Sequence, residues 1–395
     1  MTESAILLPR TESELCDIVA SAAANTRLLA IRGGGSKDSI GADAPDAAPL
    51  DMTGFSGITD YDPAELVMTA GAGTPLTEIL KAVAERNQML AFEPFDHAPL
   101  FGRQPGHATI GGIIAAGVSG SRRVSAGAAR DHLLGFRAVS GRGESFVAGA
   151  RVVKNVTGYD LCKLAVGSWG RLFAMTEVTL KVMPAPPLTQ SLAIAGLDPQ
   201  SAIHAMAAAM GSTAAVAAAA HLPTLPGGGE PATVLRLEGF AASVKARGAL
   251  LASALSDFGT VRPLEEEEAN LFWRGITNGL STRQDKPLWR ISVPPSAGAT
   301  IISALADQAK DWAFDWAGGL IWLASGVDPG TVRRVSADAG GHAMLLRAPP
   351  EMRQLVPALH PQHARITALE TRLRRAFDPA GVFETGRFGG AGDEN

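Results

Sequence analysis

The chain has 395 residues, 46% apolar and 19% charged, a globular composition too long for one ordinary core, so two or three domains are expected. A formal charge of −4 provides no general basic field, which argues against a nucleic-acid partner. The two cysteines, Cys16 and Cys162, stand far apart and outside any Cys/His cluster, which excludes a disulfide scaffold, a zinc ribbon and an iron–sulfur cluster held by this chain alone.

The first ten residues lack a basic region followed by a long apolar core, so no signal peptide is expected. Thr11-x-x-Glu14 is a capping box, and Leu15, Ile18, Val19 and Ala22 share one face of a helix from about Glu12 to Ala24. A short strand, Leu28 to Ile31, then delivers Arg32-Gly33-Gly34-Gly35-Ser36-Lys37. Successive glycines let consecutive N–H groups converge as an anion-binding nest, to which Ser36 adds a hydroxyl and Lys37 a charge. A plain turn is the alternative. The run is neither Walker A nor the Rossmann fingerprint, because no Gly-Lys-Ser/Thr and no GxGxxG opens a helix here.

Leu66 to Ala70 reads as a strand, followed by an Ala-Gly-x-Gly turn and a helix from Thr74-Pro75 with Leu76, Ile79, Leu80 and Val83 on one face. Pro105-Gly106-His107-Ala108-Thr109-Ile110-Gly111-Gly112 leads to Gly117 and Gly120, dense enough in small residues for backbone to lie against a ring system or a second helix. Arg122 and Arg123 follow; they suit a bidentate contact to a carboxylate or ordinary surface positions, with His107 as a candidate base. Gly141 and Gly143 turn a hairpin between Phe136–Val139 and Ser145–Val147. A polar turn at Asn155 and Gly158 then enters an apolar helix, Leu161 to Val166, a Gly167-Ser168-Trp169-Gly170 bend, and an alternating strand, Met175 to Met183. On spacing alone, the last stretch is equally a tight helix–strand connection.

Pro184-Ala-Pro-Pro187 marks a boundary. Strands are expected near Ser191–Ala195, Ala214–Ala219 and Thr233–Glu238, with helices near Gln200–Met210 and Ala242–Leu255. A second round follows: strands at Leu288–Val293, Gly319–Leu323 and His342–Arg347, with helices at Gly298–Lys310 and Gly330–Ala337. The expectation is an antiparallel sheet with helices on one face. The Ala-rich run Ala205–Ala220, broken by Gly211-Ser212-Thr213, is a buried helix and strand and not a membrane span. Glu265 to Glu268 start a solvated helix, and His342 is a core or rim histidine, so no metal site is expected.

Asn155-x-x-Gly158-Tyr159-Asp160-Leu161, Gly167-Ser168-x-Gly170 and Thr176-Glu177-Val178-x-Leu180-Lys181 resemble the closing segment of PCMH-type FAD-binding domains of the vanillyl-alcohol-oxidase family. Within that family the chain is most similar to FAD-binding subunits of bacterial glycolate oxidases. Gly120-Ser121-Arg122-Arg123, Gly127, Arg130-Asp131, Leu134-Gly135 and the tail Phe377-Asp378-Pro379-Ala380-Gly381, Gly386-Arg387 also agree.

The resemblance implies an α+β protein: a two-lobed FAD-binding domain over residues 1–185, an α+β cap with an antiparallel sheet over 186–348, and a segment, 349–395, folding back on the first domain. It implies FAD held by Arg32, Gly33, Gly34, Gly35, Ser36, Lys37, Pro105, Gly106, Thr109, Gly111, Gly112, Gly117, Arg130, Asp131, Gly158, Tyr159, Asp160, Gly167, Gly170, Thr176 and Glu177. The Arg32–Lys37 loop has no His, so the flavin is expected to be non-covalent.

The implied activity is oxidation of glycolate or a related 2-hydroxy acid, with a catalytic flavoprotein subunit and an iron–sulfur subunit as partners. The expected location is cytoplasmic, or peripheral at the inner membrane through those partners, without a transmembrane segment. The paired histidines and glutamate by which relatives hold a metal or substrate are not found. A self-sufficient dehydrogenase using Arg122 or Arg123 with His107, and a structural subunit that has lost flavin, are the alternatives.

Overall fold

A computed structural model describes residues 6–149, 159–225, 228–278, 285–305 and 308–389. The first helix, Glu12–Ala24, begins where Thr11 Oγ1 accepts the Glu14 N–H at 3.2 Å and the Glu14 carboxylate accepts the Thr11 N–H at 3.3 Å. Its buried Leu15, Val19 and Ala22 pack on Leu29 and Leu50, which belong to the parallel strands Leu29–Arg32 and Ala48–Asp51, and on Val382 and Phe383 near the C-terminus.

Beside this layer lies a five-stranded antiparallel sheet ordered Ile58–Asp62, Val67–Gly71, Phe173–Lys181, Leu133–Ser140, Ser145–Gly149. Helices Leu76–Ala84 and Ile110–Ala116 bury Leu76, Ile79, Ile110, Ile113 and Ile114 against it. Pro75 caps the first of these from one position outside, a one-residue difference from the sequence reading. The expected helix after Gly158 is the short Leu161–Ala165, capped by Asp160, whose Oδ1 accepts the Lys163 N–H at 3.1 Å.

Among the described residues, the second half forms an eight-stranded antiparallel sheet. Its order is Arg262–Pro263, Leu188–Ala195, Ala232–Gly239, Ala218–Leu222, Asp311–Asp315, Leu320–Ala324, Leu288–Ser292, His342–Arg347. The strand expected from Ala214 starts at Ala218 because Ala215 adopts φ +49° and breaks the extended run. Asp311–Asp315 was not expected as a strand; only Trp312 and Phe314 alternate there.

Helices cover both faces, not one. Pro199–Met210, Ala241–Ala254, Gly298–Ala304 and Pro329–Asp338 share one core with Leu192, Leu235, Trp289, Ile321 and Leu345. On the opposite face, Phe272, Trp273 and Ile276 of helix Glu266–Asn278 pack with Ala193, Val234 and Trp322, and with Ile40, Leu100 and Phe388 from outside the sheet. The period of two along each strand sorts these side chains, so alternate residues of the sheet look toward the first half of the chain. No helix among the described residues is long and apolar enough to cross a membrane.

Candidate functional site

Strand Leu29–Arg32 ends at the mouth of a cleft, and the glycine run turns across it. Gly35 takes φ +79°, and the turn closes with Asp38 N–H on Gly35 O at 3.2 Å. The Arg387 guanidinium, from the C-terminal segment, donates to Ile40 O at 2.7 Å and to Lys37 O. The loop also presses on the backbone before helix Ile110–Ala116: a Cβ at Gly34 would lie 1.9 Å from His107 O, and one at Gly33 2.2 Å from Thr109 Oγ1. Only glycine allows that approach.

The N–H groups of Gly34, Gly35, Ser36 and Lys37 find no acceptor among the described residues. Four successive backbone donors without a protein acceptor, in residues lining a cleft, have the makings of an anion site. Arg32 Nε is likewise buried without a partner, while its guanidinium meets Asp38 at 3.1 Å. Lys37 Nζ touches Ser36 Oγ at 3.3 Å. Burial pushes its pKa down to about 8; Asp96 and Asp38 oppose this and Arg387 adds to it. An ammonium under that strain gains from a bound anion.

The floor is helix Ile110–Ala116, whose N-cap Thr109 accepts the Gly112 N–H at 3.3 Å. The Gly111 N–H bonds Ala72 O at 2.8 Å, and a Cβ there would sit 2.7 Å from that oxygen. The bend at Gly167 is fastened to the same helix by Gly167 N–H on Ile114 O at 3.3 Å and Trp169 N–H on Ala115 O at 2.8 Å. With Trp169 at φ +56° and Gly170 at φ +73°, the bend brings Trp169 into the cleft's lining together with Ile31, Met52, Phe173 and Met175. The cleft is open to solvent and spans about 730 Å³ with the solvent at its mouth included.

Of the residues singled out from sequence, Arg32 through Lys37, Thr109, Gly111, Gly112 and Gly170 line this cleft. Gly117 lines a larger adjoining cavity. Gly167 fastens the bend without lining the cleft. Pro105, Gly106 and His107 are exposed on a loop where Asp96 accepts the Gly106 and His107 N–H groups. Arg130 and Asp131 are exposed, with Asp131 Oδ2 accepting the Ala128 N–H at 2.8 Å.

Thr176 donates to Glu12 at 2.9 Å, Glu177 accepts from Thr59 at 3.1 Å, and Tyr159 is 95% exposed. Asn155 and Gly158 lie outside the described residues. The cleft residues without a sequence motif are Ile31, Asp38, Met52, Phe173 and Met175, while Ala72, Ala115 and Ala116 lie within the small-residue segments singled out from sequence. Arg387 had a signal in the tail; Trp169 had one in its glycine brackets.

Arg122 is committed elsewhere. Its Nε donates to Glu238 at 2.8 Å, its own N–H to Glu93 at 2.9 Å, and Arg236 reaches Glu93 at 2.6 Å. Arg236 lies over the Trp273 ring at 4.0 Å, so this four-charge network ties the eight-stranded sheet to the first half of the chain. Burial works against charge on Glu93, and Arg236 and Arg122 outweigh it, leaving its pKa lowered. Arg123 lies over the Trp316 ring, 4.1 Å from its centroid.

A parallel strand pair feeding a glycine nest, an apolar slot beside it and an antiparallel sheet behind define a flavoprotein of the FAD-binding-domain class; the family model described as "FAD binding domain" matches residues 4–149. The chain is 35% identical over 365 residues to glycolate oxidase subunit GlcE of Escherichia coli (strain K12), covering 91% of this chain and 92% of that one. It belongs to the GlcE family.

D-lactate dehydrogenase of Anaerostipes hadrus is 35% identical over 145 residues, 37% of this chain and 29% of that one. The solved structure of alkyldihydroxyacetonephosphate synthase superposes with a TM-score of 0.65 over 95% of this chain and 76% of that one, at 14% identity, a shared fold. The residues fit FAD: four free N–H donors and Lys37 suit a diphosphate, and the slot bounded by Ala115, Ala116, Trp169 and Phe173 suits a planar ring.

Proposed function

We propose that this chain is the FAD-carrying subunit of a complex that oxidises glycolate or a related 2-hydroxy acid, and that electrons leave through an iron–sulfur partner. The observation that carries the reading is the row of unpaired N–H groups, Gly34 to Lys37, in residues that line the cleft. Membership of the GlcE family supports the complex and the substrate class.

Bound in the cleft, FAD supplies the two-electron acceptor; the protein supplies binding, orientation and electrostatics. Arg32 through Lys37 hold the diphosphate by backbone N–H groups and one ammonium. Arg387 keeps the loop in that shape through its bonds to Ile40 and Lys37. Trp169, Phe173, Met52 and Met175 exclude water from the ring's surroundings. The Arg32–Lys37 loop contains no His, which supports a non-covalent flavin.

With the domain division 1–185, 186–348 and 349–395, the eight-stranded sheet acts as a cap. The iron–sulfur partner, a catalytic flavoprotein subunit and a cytoplasmic or peripheral location through them complete the proposal. The test is an absorption spectrum of the purified chain and chromatography of nucleotide released by acid. Yellow protein releasing intact FAD is expected; colourless protein that cannot be reconstituted with FAD would overturn the reading.

A further inference from the structure

The sheet face turned toward the first half of the chain carries an unusual wall. Strand Leu288–Ser292 sets Arg290 between Trp322 on one neighbour and Met344 on the other, and His342 sits opposite Ser292, two residues along on the same face. Arg290, His342, Met344 and His360 border a broad cavity, about 3050 Å³ with the solvent at its mouth included, that shares Ala116, Trp169 and Arg387 with the flavin cleft. The two spaces therefore adjoin.

No carboxylate among the described residues lies within salt-bridge reach of Arg290. Asp315, the acidic group nearest in effect, is taken by Ser121 Oγ at 2.9 Å and the Trp316 N–H at 2.7 Å. The Arg290 guanidinium lies over the Trp316 ring, 4.9 Å from its centroid, and Arg123 lies over that ring too, so two like charges share one indole. Burial and then Arg123 push the Arg290 pKa down to about 10, so it stays charged at neutral pH.

His360 Nδ1 accepts the Ala343 N–H at 3.2 Å, which puts its proton on Nε2 as a donor. Burial, then Arg290, His360 and Arg123, lower the His342 pKa, so that ring is neutral. The other acids of the cavity are occupied or peripheral: Glu384 pairs with Arg374 at 3.1 Å, Asp378 accepts the Val382 and Phe383 N–H groups, and Glu370 is exposed on helix Ala364–Phe377. Arg290 is half-buried at the cavity wall, and a cation partly withdrawn from water with no carboxylate in reach gains when an anion arrives.

We propose that Arg290, flanked by His342 and His360, anchors the carboxylate of a small hydroxy acid, so that this chain has its own substrate site beside the flavin cleft. Arg290 takes the carboxylate through paired N–H groups, His360 adds an Nε2–H donor, and His342 offers a neutral ring to the neighbouring hydroxyl. The acid's identity rests on the flavoprotein reading; the anion site does not.

The experiment is isothermal titration of the full chain with oxalate as probe, FAD content being measured on the same samples by absorbance. Saturable binding is expected, weakened about tenfold or more in Arg290→Met and less in Arg290→Lys, with FAD content unchanged. His360→Gln, which keeps a donor, tests the wall by a change of smaller volume and is expected to weaken oxalate by several-fold.

Failure of the native chain to bind oxalate, or wild-type affinity in folded Arg290→Met, overturns the proposal. Arg290-dependent oxalate binding by protein that cannot take up FAD sustains the anion site while the flavin reading falls. Loss of FAD together with oxalate in both Arg290 variants and in His360→Gln would count against a separate anchor.

Discussion

Lys37 makes FAD affinity a function of pH, with a sign and scale fixed by the cleft. Burial lowers its amine from 10.5 to about 8 in the absence of a bound anion, and a diphosphate against it restores the charged form. FAD binding then takes up a proton between those values. Affinity is expected to be flat below pH 8 and to fall close to tenfold for each unit above it, because one unit is about 1.4 kcal/mol of differential interaction.

Stability of the FAD-free chain has the opposite slope. A lysine whose folded pKa lies below its unfolded value binds fewer protons when folded, so this group's penalty is present below pH 8 and is relieved as pH rises toward 10.5. Fluorescence titration of FAD-stripped protein between pH 7 and 9.5, for wild type and Lys37→Met, reads both the slope and its source. A flat profile in wild type, or the same slope in Lys37→Met, would refute the argument. Asp96 and Asp38 raise the midpoint and Arg387 lowers it.

Gly34→Ala places a methyl 1.9 Å from His107 O, so the loop must move off helix Ile110–Ala116; FAD affinity is expected to fall roughly ten- to a hundredfold in the same titration. Arg122→Met leaves Glu238 with only Arg236, at 4.0 Å, and is expected to cost about 3 kcal/mol in urea unfolding, part of which Arg122→Met/Glu238→Met recovers. Unchanged stability with lost turnover would instead return Arg122 to the chemistry. Burial raises Asp315 from 3.8 to about 7, so the folded state holds its proton longer than the unfolded one, and stability falls as pH rises through that window. Asp315→Asn should flatten that segment of the urea-midpoint profile between about pH 4 and 7; an unaltered slope counts against it.

The glycine loops were legible because their residues are there for backbone reasons. Gly35 needs φ +79°, Gly34 and Gly111 need a missing Cβ, and such needs leave a composition in the sequence. The slot's walls leave none: Ile31, Met52, Phe173 and Met175 are core-like side chains whose partners lie far along the chain. Trp169 is intermediate, since the glycines around it marked a bend but not that the indole would turn inward at φ +56°. The helices and most strands followed from period alone, whereas Asp311–Asp315 holds only five residues and ends against Trp316-Ala317, both at positive φ.

Charge was the least legible quantity, and it decides how the arginines divide. Adjacent in sequence, Arg122 and Arg123 were equal candidates for a carboxylate; in the fold the partner of Arg122 comes from 116 residues away and neutralises it. Arg290, which no motif marked, has no carboxylate within salt-bridge reach among the described residues and lies over the Trp316 ring. The Arg122–Glu238 and Arg236–Glu93 pairs pin the sheet to the first half of the chain, and Gly120 O accepts the Trp316 Nε1–H at 3.0 Å, so the indole beneath Arg290 is tied to the segment that leaves the flavin cleft. These paired charges thus help hold Arg290 in place relative to the nest. A hydroxy acid held at Arg290 and a flavin held at Gly34–Lys37 would then meet in a geometry set by the fold, with little left for the ligands to organise on binding.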